Sequence, residues 1–145
     1  MKLVRDFIIK DISSVTENSP VRRVIKNMRL HRVSIMPVVN KLGEYIGCIS
    51  EEDILEAAVP DYMKKIYNTS FMANIDQIIA HLTQILDDKA IALTDVNYPY
   101  VTPDDSLEYA ADILYRTKGN MLPVLESKKL VGLITLIQIL SVSIE

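Results

Sequence analysis

Apolar side chains recur at Val21, Val24, Ile25 and Met28, the i, i+3, i+4, i+7 spacing of one helix face. Ser19-Pro20 stands just before this stripe and suits a helix start, with Ser as N-cap and Pro at the first helical position. Residues 12–16 read as extended, and residues 33–39 and 45–49 read as strands rich in Val and Ile. Between those two runs lies a polar turn, Asn40-Lys41-Leu42-Gly43-Glu44, and a closing helix is expected after Ser50. The order is β-α-β-β-α over about 50 residues, too little surface to bury alone.

The same pattern occurs twice. Shifting the chain by 86 residues places Thr16 on Thr102, and Val21, Val24, Ile25 and Met28 on Leu107, Ala110, Ala111 and Leu114. Pro37-Val38 falls on Pro123-Val124, and Asp105 falls where Ser19 caps the first helix. Beyond the turn the shift becomes 85, and Gly47, Ser50 and Asp53 fall on Gly132, Thr135 and Gln138. A one-residue slip is what a hairpin loop tolerates. The expected fold is therefore α/β of the α+β kind: two βαββα repeats with pseudo-two-fold symmetry. Residues 1–59 form the first repeat and residues 89–145 the second.

Residues 60–88 are not repeated and are expected to form a helical connecting arm. Val59-Pro60-Asp61 marks a break, residues 62–67 read as a short helical stretch, and Ile75, Ile78, Ile79, Leu82, Ile85 and Leu86 form one helical stripe. The arm fits packing on the core or on a second subunit; a docking surface for another protein is the other reading.

Composition narrows the function. The chain of 145 residues is 49% hydrophobic and 24% charged, with a net charge of -3 and both signs mixed. No basic stripe suits a phosphodiester backbone, so nucleic acid is not an expected partner. One cysteine, Cys48, leaves no internal disulfide and reads as a small buried hydrophobe. The start MKLVRDFIIK interrupts its apolar stretch with charges, and no run approaches the roughly 18 apolar residues of a membrane span. A cytoplasmic protein with no membrane partner is expected. His31 and His81 have no metal-spaced partner, neither a Gly-x-x-x-x-Gly-Lys phosphate loop nor a Gly-x-Gly-x-x-Gly occurs, and the spacing implies no Ser/His/Asp or Cys/His arrangement. No catalysis, no metal and no required cofactor are expected.

The segments SIMPVVNKLGEYIGCISEEDIL and NMLPVLESKKLVGLITLIQIL carry a strand with Pro-Val, a hairpin, and Gly, two apolar residues, Ser or Thr, two spacers and a polar residue. In tandem these resemble the cystathionine-β-synthase (CBS) domain family, whose pairs are called Bateman modules. The resemblance covers nearly all of the chain except the arm. It implies a stand-alone regulatory pair binding AMP, ADP, ATP or S-adenosylmethionine in clefts between the copies, assembled as a homodimer and acting on a regulated protein in trans.

By that resemblance Asp53 holds the ribose hydroxyls, Ser50 meets phosphate, and Ser14, Val33, Ser34, Met36 and Pro37 flank adenine, largely through backbone. A carboxylate accepts two vicinal hydroxyls well, and a helix start offers N–H donors to phosphate. The second site would use Tyr100, Asn120, Met121, Pro123, Thr135 and Gln138. It is expected to be weaker, because Gln138 lacks the charge of Asp53. His31, Arg32, Arg116 and Lys118 are basic groups near the clefts, suited to phosphate or to solvated helix ends. Ser-x-x-Asp and Thr-x-x-Gln are equally capping-box patterns that need no ligand. The alternative function is a ligand-free scaffold for dimerisation or protein interaction.

Overall fold

The computed structural model describes residues 1–61 and 75–145. The helical stretch expected at residues 62–67 lies outside the described residues. The first repeat contains β1 (Val15–Thr16), α1 (Val21–His31), β2 (Ile35–Val39), β3 (Tyr45–Ser50) and α2 (Glu51–Ala58). Next comes α3 (Ile75–Ile85). The second repeat contains α4 (Leu107–Thr117), β4 (Met121–Glu126), β5 (Lys129–Thr135) and α5 (Leu136–Ser141). Single 3-10 turns lie at Val4–Asp6, Ala90–Leu93 and Val142–Ile144.

The shift of 86 residues persists in three dimensions. β1 runs parallel to β2 with Val15 opposite Val38, and Val101 forms a parallel bridge to Val124. β2–β3 and β4–β5 are antiparallel hairpins, each with a register shift just after the Pro-Val pair. The slip from 86 to 85 has a local cause. In the first loop the Asn40 carboxamide oxygen accepts from the Leu42 and Glu44 N–H groups, and Gly43 adopts φ +80°. In the second, Ser127 and Lys128 both take positive φ, as a two-residue hairpin turn requires.

Helix starts differ from expectation. Pro20, not Ser19, holds the N-cap position of α1. The Ser19 hydroxyl instead accepts from the Thr16 N–H at 3.1 Å, closing the turn before the helix. Asp105 does the same for the Thr102 N–H at 2.8 Å, and the Ser106 hydroxyl caps α4 by accepting from Tyr109 N–H. Short polar side chains bond neighbouring backbone equally well in turns and at caps, so the residue type does not choose between them.

The two repeats exchange their leading segments. Ile9 N–H and O bond to Leu133 in β5, while Asp95 N–H and O bond to Cys48 in β3. Val4 N–H donates to Asp105 O, and Ala90 N–H donates to Ser19 O. Each exchanged segment sinks an apolar side chain into the other repeat. Val4 packs with Val101, Leu107, Ala110, Leu114, Leu122, Val124 and Ile134, and Ala90 packs with Val15, Val24, Met28, Met36, Val38, Ile49 and Ile54. Ion pairs Arg5–Asp104 and Arg22–Asp87 lie along the same seams.

Gly47 and Gly132 follow from this exchange. A Cβ at Gly47 would lie 2.3 Å from Asp95 O, and one at Gly132 would lie 2.7 Å from Ile9 O. The repeated glycine therefore admits the backbone of the other repeat's leading segment. α3 packs on α2 through Ile78, Leu82, Ala58 and Val59, and His81 Nδ1 lies 3.0 Å from Ala58 O. Ile75 and Ile79, on the same stripe, are exposed.

Candidate functional site

Two helix starts carry the repeated motif. At α2 the box is reciprocal: Asp53 N–H donates to Ser50 Oγ at 3.0 Å, and Ser50 N–H donates to Asp53 Oδ2 at 2.9 Å. At α5 Gln138 N–H donates to Thr135 Oγ1 at 3.2 Å. Both Ser50 and Thr135 thus cap helices. The first turns differ in charge. α2 opens with Glu51, Glu52 and Asp53, whereas α5 opens with Leu136, Ile137 and Gln138. Three carboxylates suit a helix N-terminus but repel a bound phosphate.

The residue before each second strand joins the motif to the pseudo-two-fold axis. Glu51 N–H donates to Ser34 O at 2.9 Å, and Leu136 N–H donates to Asn120 O at 2.8 Å. Across the axis Asn120 Nδ2 lies 3.5 Å from Ser34 Oγ. Beside this contact is a cavity of about 410 Å³ lined by Arg32, Val33, Ser34 and Ile35 of the first repeat and by Asn120, Met121, Leu133, Thr135, Leu136, Ile137 and Leu140 of the second. Its walls are mainly apolar. Arg32 supplies a cation, and Ser34, Asn120 and Thr135 supply polar groups. Arg32 adopts the left-handed conformation, φ 56°, at the C-cap of α1. That turn feeds the chain into the wall of the cavity.

The grouping of residues differs from the sequence reading. Val33 and Ser34 were expected beside Ser50 and Asp53, but they share this cavity with Thr135, a residue of the second expected set, and with Asn120 and Met121. The reason is the antiparallel meeting of the repeats, which sets the β2 entry of one repeat against the helix start of the other. Met36, Pro37 and Pro123 are buried within their sheets, and Ser14 is exposed ahead of β1. Tyr100 does not join Thr135. It lies edge-on to Tyr45 with ring centroids 6.1 Å apart and lines other cavities with Val96.

Of the four basic groups, Arg32 alone lines this cavity; Arg116 is held on α4 by Asp112 at 3.0 Å, and His31 and Lys118 are exposed at the helix ends. The sequence reading did not name Ile35, Leu133, Leu136, Ile137 or Leu140. The replacement of Glu51-Glu52 by Leu136-Ile137 between the repeats was the available signal.

Polar groups also gather near Asp53. Tyr45 Oη lies 3.4 Å from Cys48 Sγ, and Tyr98 Oη donates to Met121 O at 2.7 Å. Burial pushes the Cys48 thiol up to about 12 and raises both phenols above their ordinary range. Among the described residues no three His, Cys, Asp or Glu side chains gather as metal ligands, and no helix is long and apolar enough to cross a membrane.

Comparison with known proteins agrees with this architecture. An uncharacterized protein of Methanocaldococcus jannaschii is 26% identical over 147 residues, covering 92% of this chain and 86% of its own length. The CBS domain of a CBS domain containing membrane protein from Sphaerobacter thermophilus superposes with TM-score 0.72 at 25% identity, over 97% of this chain and 86% of that one. CBSX2, solved in complex with AMP, superposes with TM-score 0.74 at 19% identity, over 99% of this chain and 97% of that one. The CBS domain family model matches residues 4–60 and 90–145. Two matched segments, one exchange of leading segments and one pseudo-two-fold axis describe the same object: the chain belongs to the CBS domain family, as a tandem pair.

Proposed function

We propose that the chain is a regulatory module that binds an adenosine-type ligand between its repeats, in the cavity beside Thr135. The observation that carries this reading is that cavity's lining, drawn from both repeats. Its volume, about 410 Å³, falls within the roughly 300–1,000 Å³ usual for small-molecule sites. Val33, Ile35, Met121 and Leu136 offer apolar faces to adenine. Ser34, Asn120 and Thr135 offer hydrogen bonds, and Arg32 offers charge to a phosphate. AMP in the CBSX2 complex supports the ligand class. A ligand touching both repeats changes their relative stability in proportion to its differential affinity, which is the basis for regulating a partner or a homodimer.

Asp53 and Ser50 stand at the counterpart cleft, where Asp53 could take ribose hydroxyls only by giving up its capping bond to Ser50 N–H. The complete capping box favours the competing reading, in which Asp53 serves helix α2 alone and the pair is an interaction scaffold.

Thermal unfolding with millimolar AMP, ADP, ATP or S-adenosylmethionine tests the proposal, alongside the Arg32→Ala and Thr135→Ala variants. A ligand at about 100 times its Kd adds about 2.7 kcal/mol to stability. The expected result is a rise of several degrees with at least one of them, reduced in Arg32→Ala for the phosphorylated ligands. No shift with any of the four leaves the scaffold reading in place.

A further inference from the structure

The pseudo-symmetry gives the cavity beside Thr135 a counterpart. Shifting its lining by the repeat spacing yields Lys118, Gly119, Asn120 and Met121 facing Cys48, Ser50, Glu51, Glu52 and Leu55. This is the Asp53 side. The strand entry there is not free, because the Tyr98 phenol donates to Met121 O at 2.7 Å. A Cβ added at Gly119 would stand 3.7 Å from the same phenol oxygen. Tyr98 is half-buried and packs on the core of the second repeat. Its backbone is tied in place as well: Tyr98 N–H donates to Asp95 O, and Asp95 is the residue paired with Cys48. The counterpart of Tyr98 in the first repeat is Ile12, which has no hydroxyl to reach Ile35 O.

We propose that the Tyr98 side chain is a built-in occupant of the Asp53-side cleft, satisfying the Met121 carbonyl in place of a ligand and leaving one open ligand site per chain. This rests on the reading of the Thr135-side cavity as a ligand site. It accounts for the asymmetry of the repeats in the direction opposite to Asp53 and Gln138 alone. Asp53 has the better group for a diol, but the slot that would present the diol to it holds a phenol. Glu51, Glu52 and Asp53 outnumber the one cation of this cleft, Lys118, and so disfavour a phosphorylated ligand. The emptied cleft would take a neutral adenosine better than AMP.

The test is calorimetric titration with adenosine and with AMP of the unaltered chain, Tyr98→Ile, and Tyr98→Ile combined with Asp53→Ala. Tyr98→Ile copies the residue of the first repeat, and far-UV circular dichroism checks its fold. One site in the unaltered chain, a second adenosine site in Tyr98→Ile and its loss in the double variant is the expected result. Two sites in the unaltered chain, or an unchanged number in folded Tyr98→Ile, overturns the inference. Absence of binding in the unaltered chain together with an Asp53-dependent site in Tyr98→Ile sustains the plug and overturns the Thr135-side reading instead. No binding in any of the three overturns both. Should Tyr98→Ile fail to fold, Tyr98→Leu takes its place and likewise clears the ring from the slot. An adenosine site absent from the unaltered chain is expected there, and its absence overturns the inference equally.

Discussion

Cys48 shows how position governs a single group. Its side chain is fully buried, on the strand that accepts the exchanged segment through Asp95. Burial is the largest cause of its raised pKa, and Asp95 and Asp53 add to it against the lowering effect of the Tyr45 hydroxyl. The unfolded thiol ionises near 9 and the folded one near 12. Between those values the folded chain keeps a proton that the unfolded chain has lost. The group's contribution is therefore fully present below the lower value and lost as pH rises toward the upper one. The slope is at most about 1.4 kcal/mol per pH unit. Half-buried Tyr45 and Tyr98 act in the same direction above 10. Urea midpoints measured at increasing alkaline pH should fall, and Cys48→Ala should flatten the first part of the fall. An equal slope in Cys48→Ala would assign the loss to other groups. In native protein the thiol should also resist a disulfide reagent until urea exposes it.

At the scale of elements, the exchanged leading segments explain two glycines. β3 and β5 each accept a backbone segment at a distance no side chain allows, so Gly132→Ala must push Ile9 away or break its two bonds to Leu133. Overpacking of this kind costs about 1–3 kcal/mol. The nearest atom is the Ile8 Cγ2 methyl at 2.3 Å, but the next is the backbone carbonyl oxygen of Ile9 at 2.7 Å, which cannot rotate away, so the expected effect of Gly132→Ala is at the upper end, measured by chemical denaturation. Gly43→Ala offers the contrast. The space around it is open, and only its positive φ opposes a side chain. The expected cost there is about 1 kcal/mol. Equal losses at the two positions would mean that the close approach does not hold in solution.

On the scale of the whole molecule, exchange makes the repeats interdependent. Val4 is fully buried in the second repeat and Ala90 in the first. Removing residues 1–9 should deprive the second repeat of Val4, worth about 1.5–3 kcal/mol. It also removes the acceptors of the Leu133 and Leu107 amides. Hydrogen exchange should therefore speed up in α4 and β5 more than in α1 and β2. Exchange that speeds up equally in all four, or in none, would argue against the seam. The intact chain should unfold in one transition, since neither core closes without the other repeat's leading segment.

The alternation and spacing of apolar residues were enough to determine the repeat, its βαββα order, the hairpin slip and the starts of α2 and α5, because these depend on local periodicity and turn chemistry, but not the caps of α1 and α4. The motif Ser50-x-x-Asp53 was legible as a cap for the same reason. Which strand entry faces which helix start depended on how two half-units meet, and no local pattern encodes that. Val33 and Ser34 therefore reached Thr135 through tertiary structure, as did the Tyr98 phenol its carbonyl on Met121. The glycines stood out in the sequence, yet their cause lay about 50 residues further along the chain for Gly47 and more than 100 residues back for Gly132. Contacts between residues so far apart in sequence form only when burial of both cores offsets the entropy of closing the chain between them.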